Sequence, residues 1–317
     1  MARLACALAS ASVAFVPASA FADPLPALDQ AVSLEVHGLV FATDSDVGRA
    51  RVTALSALPL GVPVTLATGA VLAGICPDLS RFKLVGPSET PLPCKGAARQ
   101  ATTARAPLRG SVSPAVPRLL SPRTGYVRRL GLIEWQRVAD VARYRVELVD
   151  ERATVLWSAT SAQASMRYPA GGPQLLPGCW YWVRVVAGRE SSDDEPGDVG
   201  FQLLPPRVAE QVATQERALS ALQLGNAEPL LHGLLLRHFE LRSEALAWFA
   251  SQPSAELAFE LGNTRARMGL IEAAARAWAR ARDASERGTL IFERAAFLLR
   301  AFGVSSQRAT GEEPGGG

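Results

Sequence analysis

Short apolar runs separated by Gly, Pro, Asp and Ser fill the first third of the chain and predict strands rather than helices. The runs are Val32–Ala42, Arg51–Leu58, Val62–Ala67, Ala70–Ile75 and Arg81–Val85. Asp44, Asp46 and Gly48 fall between the first two and read as a turn. Over 95–118 Ala, Arg, Pro, Ser and Thr dominate and no apolar period persists, so a linker is expected. Alternation returns at Leu132-Ile133-Glu134-Trp135, Tyr144–Leu148, Val155-Leu156-Trp157 and Leu176–Ala187, with a turn at Ala139-Asp140. From Pro206 the apolar positions recur with the helical period. Six helices are predicted: Val208–Leu222, Ala227–Phe239, Arg242–Gln252, Ala255–Met268, Ile271–Ser285 and Leu290–Phe302. The predicted class is a multidomain chain, all-β and then all-α, with a small β-domain (23–94), a β-sandwich (119–204), a helical-repeat domain (205–303) and a flexible tail (304–317).

The helical region repeats itself. Gly233, Ala245 and Phe249 recur as Gly262, Ala274 and Trp278, with offsets of 12 and 16 both times and a step of 29 residues. Those spacings place a small residue where two helices approach closely and an aromatic one turn later on the same face. Leu261-Gly262, Gly269, Ala274, Trp278 and Ala281 resemble tetratricopeptide repeats, whose step is about 34 residues. That resemblance implies stacked hairpins that bind a protein partner. Trp135, Tyr144 and the run Leu176-Pro177-Gly178-Cys179-Trp180-Tyr181 resemble a fibronectin type III domain, which implies a tyrosine corner at Tyr181. Leu60-Gly61-Val62, Thr68-Gly69-Ala70 and Ile75-Cys76-Pro77-Asp78 resemble the small β-domain of FecR-like bacterial envelope proteins.

Composition excludes whole classes. At 48% hydrophobic and 20% charged residues over 317 positions, the chain is no disordered polyelectrolyte. A net charge of +3 is too small to argue for a nucleic-acid partner. Only Lys83 and Lys95 are lysines, a skew that reads as genome composition. At the amino terminus Arg3 precedes the uncharged run Leu4–Val16, followed by Ala18-Ser19-Ala20 and Ala20-Phe21-Ala22. The run is shorter than the roughly 20 residues a membrane span needs, and it matches a secretory signal peptide, 1–22, cut before Asp23. A periplasmic or secreted protein is therefore expected. Almost no apolar segment precedes Cys6, which argues against lipidation. Val52–Cys76 holds no charged residue, yet Pro59, Gly61, Pro63, Gly69 and Gly74 break it, so it reads as buried strands rather than a transmembrane anchor.

Export makes the cysteines informative. Cys76 and Cys94 lie 18 residues apart, and a disulfide between them would stabilise the β-domain by roughly 3 kcal/mol. A zinc site would need four ligands, and none cluster nearby. Cys179, inside a strand pattern, reads as a buried free thiol.

Chemistry-bearing motifs are sparse. His232 and His238 are six apart, which misses the spacing of a helical metal pair, and His37 stands on the first strand. Asp44-x-Asp46-x-Gly48 lacks the further ligands of a calcium loop, and Asp193-Asp194-Glu195 with Asp198 reads as a solvated hairpin turn. No nucleophile elbow, phosphate-binding loop or zinc-protease motif occurs, so no catalytic, metal or cofactor site is predicted. Trp157, Tyr168, Trp180 and Trp182 invite sugar stacking, since strand alternation places Trp180 and Trp182 opposite Tyr181. The expected function is a non-catalytic envelope scaffold or adaptor that binds a protein partner through its helical repeats, with the β-domains as spacer and anchor. The alternatives are a cell-wall or carbohydrate-binding protein using the β-domains and a FecR-like envelope sensor.

Overall fold

The computed structural model describes residues 30–58, 60–94, 114–194 and 199–303. The expected signal segment, most of the linker (with Arg99, Arg105 and Arg109) and the tail 304–317 lie outside the described residues.

The first domain contains β1 (Ala31–His37), β2 (Val40–Asp44), β3 (Gly48–Arg51), β4 (Ala57–Leu58), β5 (Pro63–Leu66), β6 (Val71–Ile75), β7 (Arg81–Val85) and β8 (Ser88–Pro91). They form two four-stranded antiparallel sheets, in the orders β4-β1-β6-β7 and β3-β2-β5-β8. Val40, Val64, Leu66, Leu72 and Phe82 pack between them, each from an alternating strand position. The first two predicted runs are not single strands. Val32–Ala42 breaks at Gly38, whose φ of 75° needs a residue without Cβ, and Arg51–Leu58 breaks at Leu55, with φ 62°. The uncharged Val52–Cys76 stretch contributes β4, β5 and β6, and no helix among the described residues is long and apolar enough to cross a membrane. The Cys76–Cys94 disulfide is present and joins the end of β6 in one sheet to the segment after β8 in the other.

The second domain contains β9 (Leu119–Ser121), β10 (Thr124–Val127), β11 (Leu132–Trp135), β12 (Tyr144–Asp150), β13 (Val155–Ser161), β14 (Ser165–Arg167), β15 (Trp180–Ala187), β16 (Glu190–Ser191) and β17 (Gly200–Leu203). One sheet runs β14-β11-β9 and the other β10-β17-β15-β12-β13, with β16 paired to β15. Only β10 and β17 run parallel among these pairs. Between the sheets Trp135 meets Tyr144 edge-on, with ring centroids 5.4 Å apart, and Tyr181 lies 5.8 Å from Phe201. Both buried tyrosine hydroxyls accept backbone bonds, Tyr144 from the Val138 N–H (2.9 Å) and Tyr181 from the Leu176 N–H (2.8 Å). Cys179 corrects the sequence reading: it is buried, but it is disulfide-bonded rather than a free thiol, and its partner lies outside the described residues. The expectation of a free thiol rested on Cys6 departing with the leader; in the full chain four cysteines remain.

The helical domain contains α1 (Pro206–Ala221), α2 (Glu228–His238), α3 (Arg242–Phe249), α4 (Ala255–Arg267), α5 (Ile271–Asp283) and α6 (Leu290–Ala301). Ser254 and Thr289 cap α4 and α6, their hydroxyls accepting the N–H groups of Leu257 (3.1 Å) and Phe292 (3.4 Å). Pro206 opens α1 where its missing N–H costs nothing.

Candidate interaction surfaces

Two helical hairpins, α2–α3 and α4–α5, are built on the repeated residues. In the first, Phe249 lies directly over Gly233; in the second, Trp278 lies over Gly262. A Cβ on either glycine would penetrate the ring above it. Both rings are about 1% exposed, and Ala245 and Ala274 are fully buried beside them. The Trp278 indole N–H also donates to Asn263 Oδ1 at 3.1 Å, so the polar end of the ring is satisfied inside the hairpin.

The first β-domain packs on the same array. Val32 and Ile75 join the core cluster of Leu230, Leu234, Leu257 and Leu261, and Leu290 of α6 sits fully buried in the β-domain's own core. Leu55 and Ala57 share a small cleft with Glu260 of α4 and with Ile291 and Arg294 of α6. Arg294 is the central polar anchor. Its Nε and Nη2 donate to Asp44 Oδ2 at 3.1 and 2.6 Å, and Nη1 donates to the Ala57 carbonyl at 2.9 Å. The other carboxylate oxygen of Asp44 accepts the Asp46 and Val47 N–H groups, which makes the expected turn. Burial alone would push the Asp44 carboxyl up, but the charge and hydrogen bonds of Arg294 outweigh it and hold the group below its usual range. A backbone bond from the Arg51 N–H to the Gly288 carbonyl (2.8 Å) and an Arg51–Glu286 ion pair complete the seam. Nearby, Arg237 of α2 and Glu260 of α4 form a buried ion pair, each side chain 3% exposed.

The sandwich grips the turns and flank of the array. The Tyr126 N–H donates to the Glu240 carbonyl at 2.9 Å, and the Arg118 and Arg123 guanidinium groups donate to the Gly269 and Met268 carbonyls. Arg242 reaches Thr124 Oγ1 at 2.9 Å, and Arg128 bridges Glu216 (2.6 Å) and Glu244 (3.1 Å). Burial pushes the Glu244 carboxyl up despite Arg128. His232 stacks on Trp248 at 4.5 Å, and burial pushes its imidazole pKa down although Glu228 and Glu216 pull it up. Arg118 and buried Val116 place the end of the predicted linker against the folded body.

On the outer sandwich face Trp180 is 43% exposed, and its ring centroid lies 6.3 Å from half-buried Trp182. Arg184, next along the strand, pairs with Glu147 (3.2 Å) and with Asp193. Trp157 and Tyr168 lie apart from these and meet each other edge-on at 5.2 Å, half-buried against the sandwich core. Asp193 and Asp194 sit in a short turn that accepts the Ser191 N–H at Asp194 Oδ2 (3.0 Å); Glu195 and Asp198 lie outside the described residues. Among the described residues no group of three or more His, Cys, Asp or Glu is arranged to hold a metal. The anchors Asp44, Arg294, Arg237 and Glu260 were not anticipated. For Arg237 and Glu260 the signal is a charge set among apolar helical residues, as in Leu234-Leu235-Leu236-Arg237 and Phe259-Glu260-Leu261; Asp44 in a turn sequence and Arg294 beside Glu293 carry none. No protein-family model matches the chain, and no curated protein matches it either.

Proposed function

We propose that the protein is a non-catalytic, exported scaffold of the bacterial envelope with a tetratricopeptide-like helical array as its hub. In this reading the FecR-like β-domain lies across α4 and α6, the fibronectin type III-like sandwich holds the helix turns, and a protein partner binds the array surface that remains. The observation that carries the reading is the double docking of the β-domains on one helical body, through Arg294–Asp44 on one side and the Tyr126–Glu240 backbone bond on the other. A rigid body with separate faces suits holding and orienting a partner. The test is affinity capture from envelope extract with the full chain and with Ala274→Arg, whose large charged side chain at a fully buried position should unstack the hairpins. One specific protein captured by the native chain and lost with the variant supports the scaffold. Equal capture by both removes the array from the reading.

A second reading, cell-wall or carbohydrate binding, is favoured by the exposed Trp180 ring beside Trp182, with the Arg184–Glu147 pair as a polar rim. Sugar C–H faces stack on such rings while hydroxyls meet the rim. Co-sedimentation with purified peptidoglycan sacculi that disappears in Trp180→Ala with Trp182→Ala would favour it. Sedimentation unchanged by that double substitution would sink it.

A further inference from the structure

An open β-sheet ends in strands whose outer N–H and carbonyl groups have no ladder partner, and such edges are normally kept from pairing with another chain. Among the described residues all but one of the edges are closed in this way. In β3 the Arg51 N–H bonds the Gly288 carbonyl, and in β10 the Tyr126 N–H bonds the Glu240 carbonyl, so both strands lie against the helical array. Strand β7 carries Arg81 and Lys83, and β8 ends at Pro91. Strands β4, β9, β14 and β16 are three residues long or shorter. The exception is β13, seven residues with no charge, no Pro and no Gly. It forms the edge of its sheet opposite β10, the strand that meets the array.

The free edge of β13 has a defined pattern. The Asp150 N–H donates to the Thr154 carbonyl at 3.0 Å, so alternate residues of β12 bond across to β13, and the register pairs them with Trp157, Ala159 and Ser161. The peptide groups of Ser158 and Thr160 therefore point outward, and both residues are exposed. Leu156 is the extra residue of a bulge, which leaves 157–161 as the regular stretch.

We infer that this stretch pairs antiparallel with the same stretch of a second copy of the chain, across a two-fold axis at Ala159, to give a homodimer with one continuous sheet. In that register Ser158 of each copy faces Thr160 of the other and exchanges both backbone bonds with it, so every outward peptide group of the stretch is used. Ala159 meets its own copy where the strands approach most closely, and the half-buried Trp157 ring meets the small Ser161. Charge also suits a second copy. On the outer face Arg145 stands beside Thr160 and Glu147 beside Ser158, so each row across the dimer ends in an arginine and a glutamate about 14 Å apart. The same two-fold pairing of β7 would set Lys83 against itself. The dimer goes beyond the scaffold reading and does not depend on it.

The experiment is sedimentation velocity of the full chain from micromolar to submillimolar concentration. A concentration-dependent equilibrium between monomer and dimer is expected. Ser158→Lys with Thr160→Lys sets like charges opposite each other across the axis and should leave a monomer, as should Ser158→Glu with Thr160→Glu. An equimolar mixture of the two double variants should dimerise again, since unlike charges then face each other. Far-UV circular dichroism establishes that each variant is folded. Should either fail to fold, Ser158→Pro, which removes an outward N–H and no bond to β12, should by itself give the monomer. A native chain that stays monomeric throughout overturns the inference. So does a dimer that both double variants keep, or a mixture of the two that stays monomeric.

Discussion

At the scale of single residues, satisfied hydroxyls and buried ionisable groups determine how the molecule responds to mutation and to acid. Tyr181→Phe leaves the Leu176 N–H without its acceptor and should cost about 0.5–1.5 kcal/mol in urea unfolding. Trp180→Ala, at a half-exposed ring, should cost less, and equal losses at both positions would deny the Tyr181 hydroxyl its role. His232 and Glu244 titrate with opposite consequences. His232 has a lowered pKa when folded, so it contributes stability above its ordinary value of 6.5 and loses it as pH falls below that value. Glu244 has a raised pKa, so its contribution is full below its ordinary 4.5 and is lost as pH rises through the folded pKa. His232→Gln should therefore flatten the loss of stability on acidification below pH 6.5, whereas Glu244→Gln should remove a penalty present near neutrality. Stability profiles of the two variants that shift in the same direction would contradict these signs.

Among the secondary-structure elements, periodicity was legible and chain reversals were less so. Every helix lies where the apolar stripe placed it, within three residues, because a buried stripe and its flanking Gly or Pro leave few alternatives. Positive φ at Leu55 broke a predicted strand that no Gly or Pro announced, since the strain there is compensated by tertiary bonds such as Leu55 N–H to the Ser33 carbonyl (2.7 Å). The recurrence of glycine, alanine and ring was legible from spacing, but not that each ring rests on the glycine of the preceding helix, because spacing does not say how two helices are rotated against each other. The charges that lock the domains together were not, because Arg294 beside Glu293 reads as an ordinary helical charge until the fold brings Asp44 to it. The hairpins give a sharp test at this scale. Gly262→Val forces two methyl groups into the Trp278 ring and should cost about 1–3 kcal/mol or more, with loss of helical ellipticity on heating at a lower temperature. Gly131→Val, at a site with open space around it, is the control and should change little; a Gly262→Val melting curve that overlays it would remove the close approach.

At the scale of the whole molecule, the Asp44–Arg294 bond decides whether the β-domain and the array behave as one unit. Both side chains are largely buried, so removing one partner strands a charge: Arg294→Met alone should cost about 3–5 kcal/mol and separate the thermal transitions of the two regions. Asp44→Asn in the same chain should recover much of that loss, because the Asn carbonyl keeps the turn bonds while the stranded charge disappears. Calorimetry that finds the double variant no more stable than the single one would deny the pair its coupling. The same seam orders events in time. Asp44 and Arg294 stand 250 residues apart, and Leu290 fills the interior of a domain whose strands all precede residue 92. The strands of the β-domain thus wait for side chains made long after them, and closing so long a loop raises the contact order and slows completion of the fold. Until α6 has been made, the amino-terminal sheets lack a finished core, and their apolar interior stays open to misassembly with other chains.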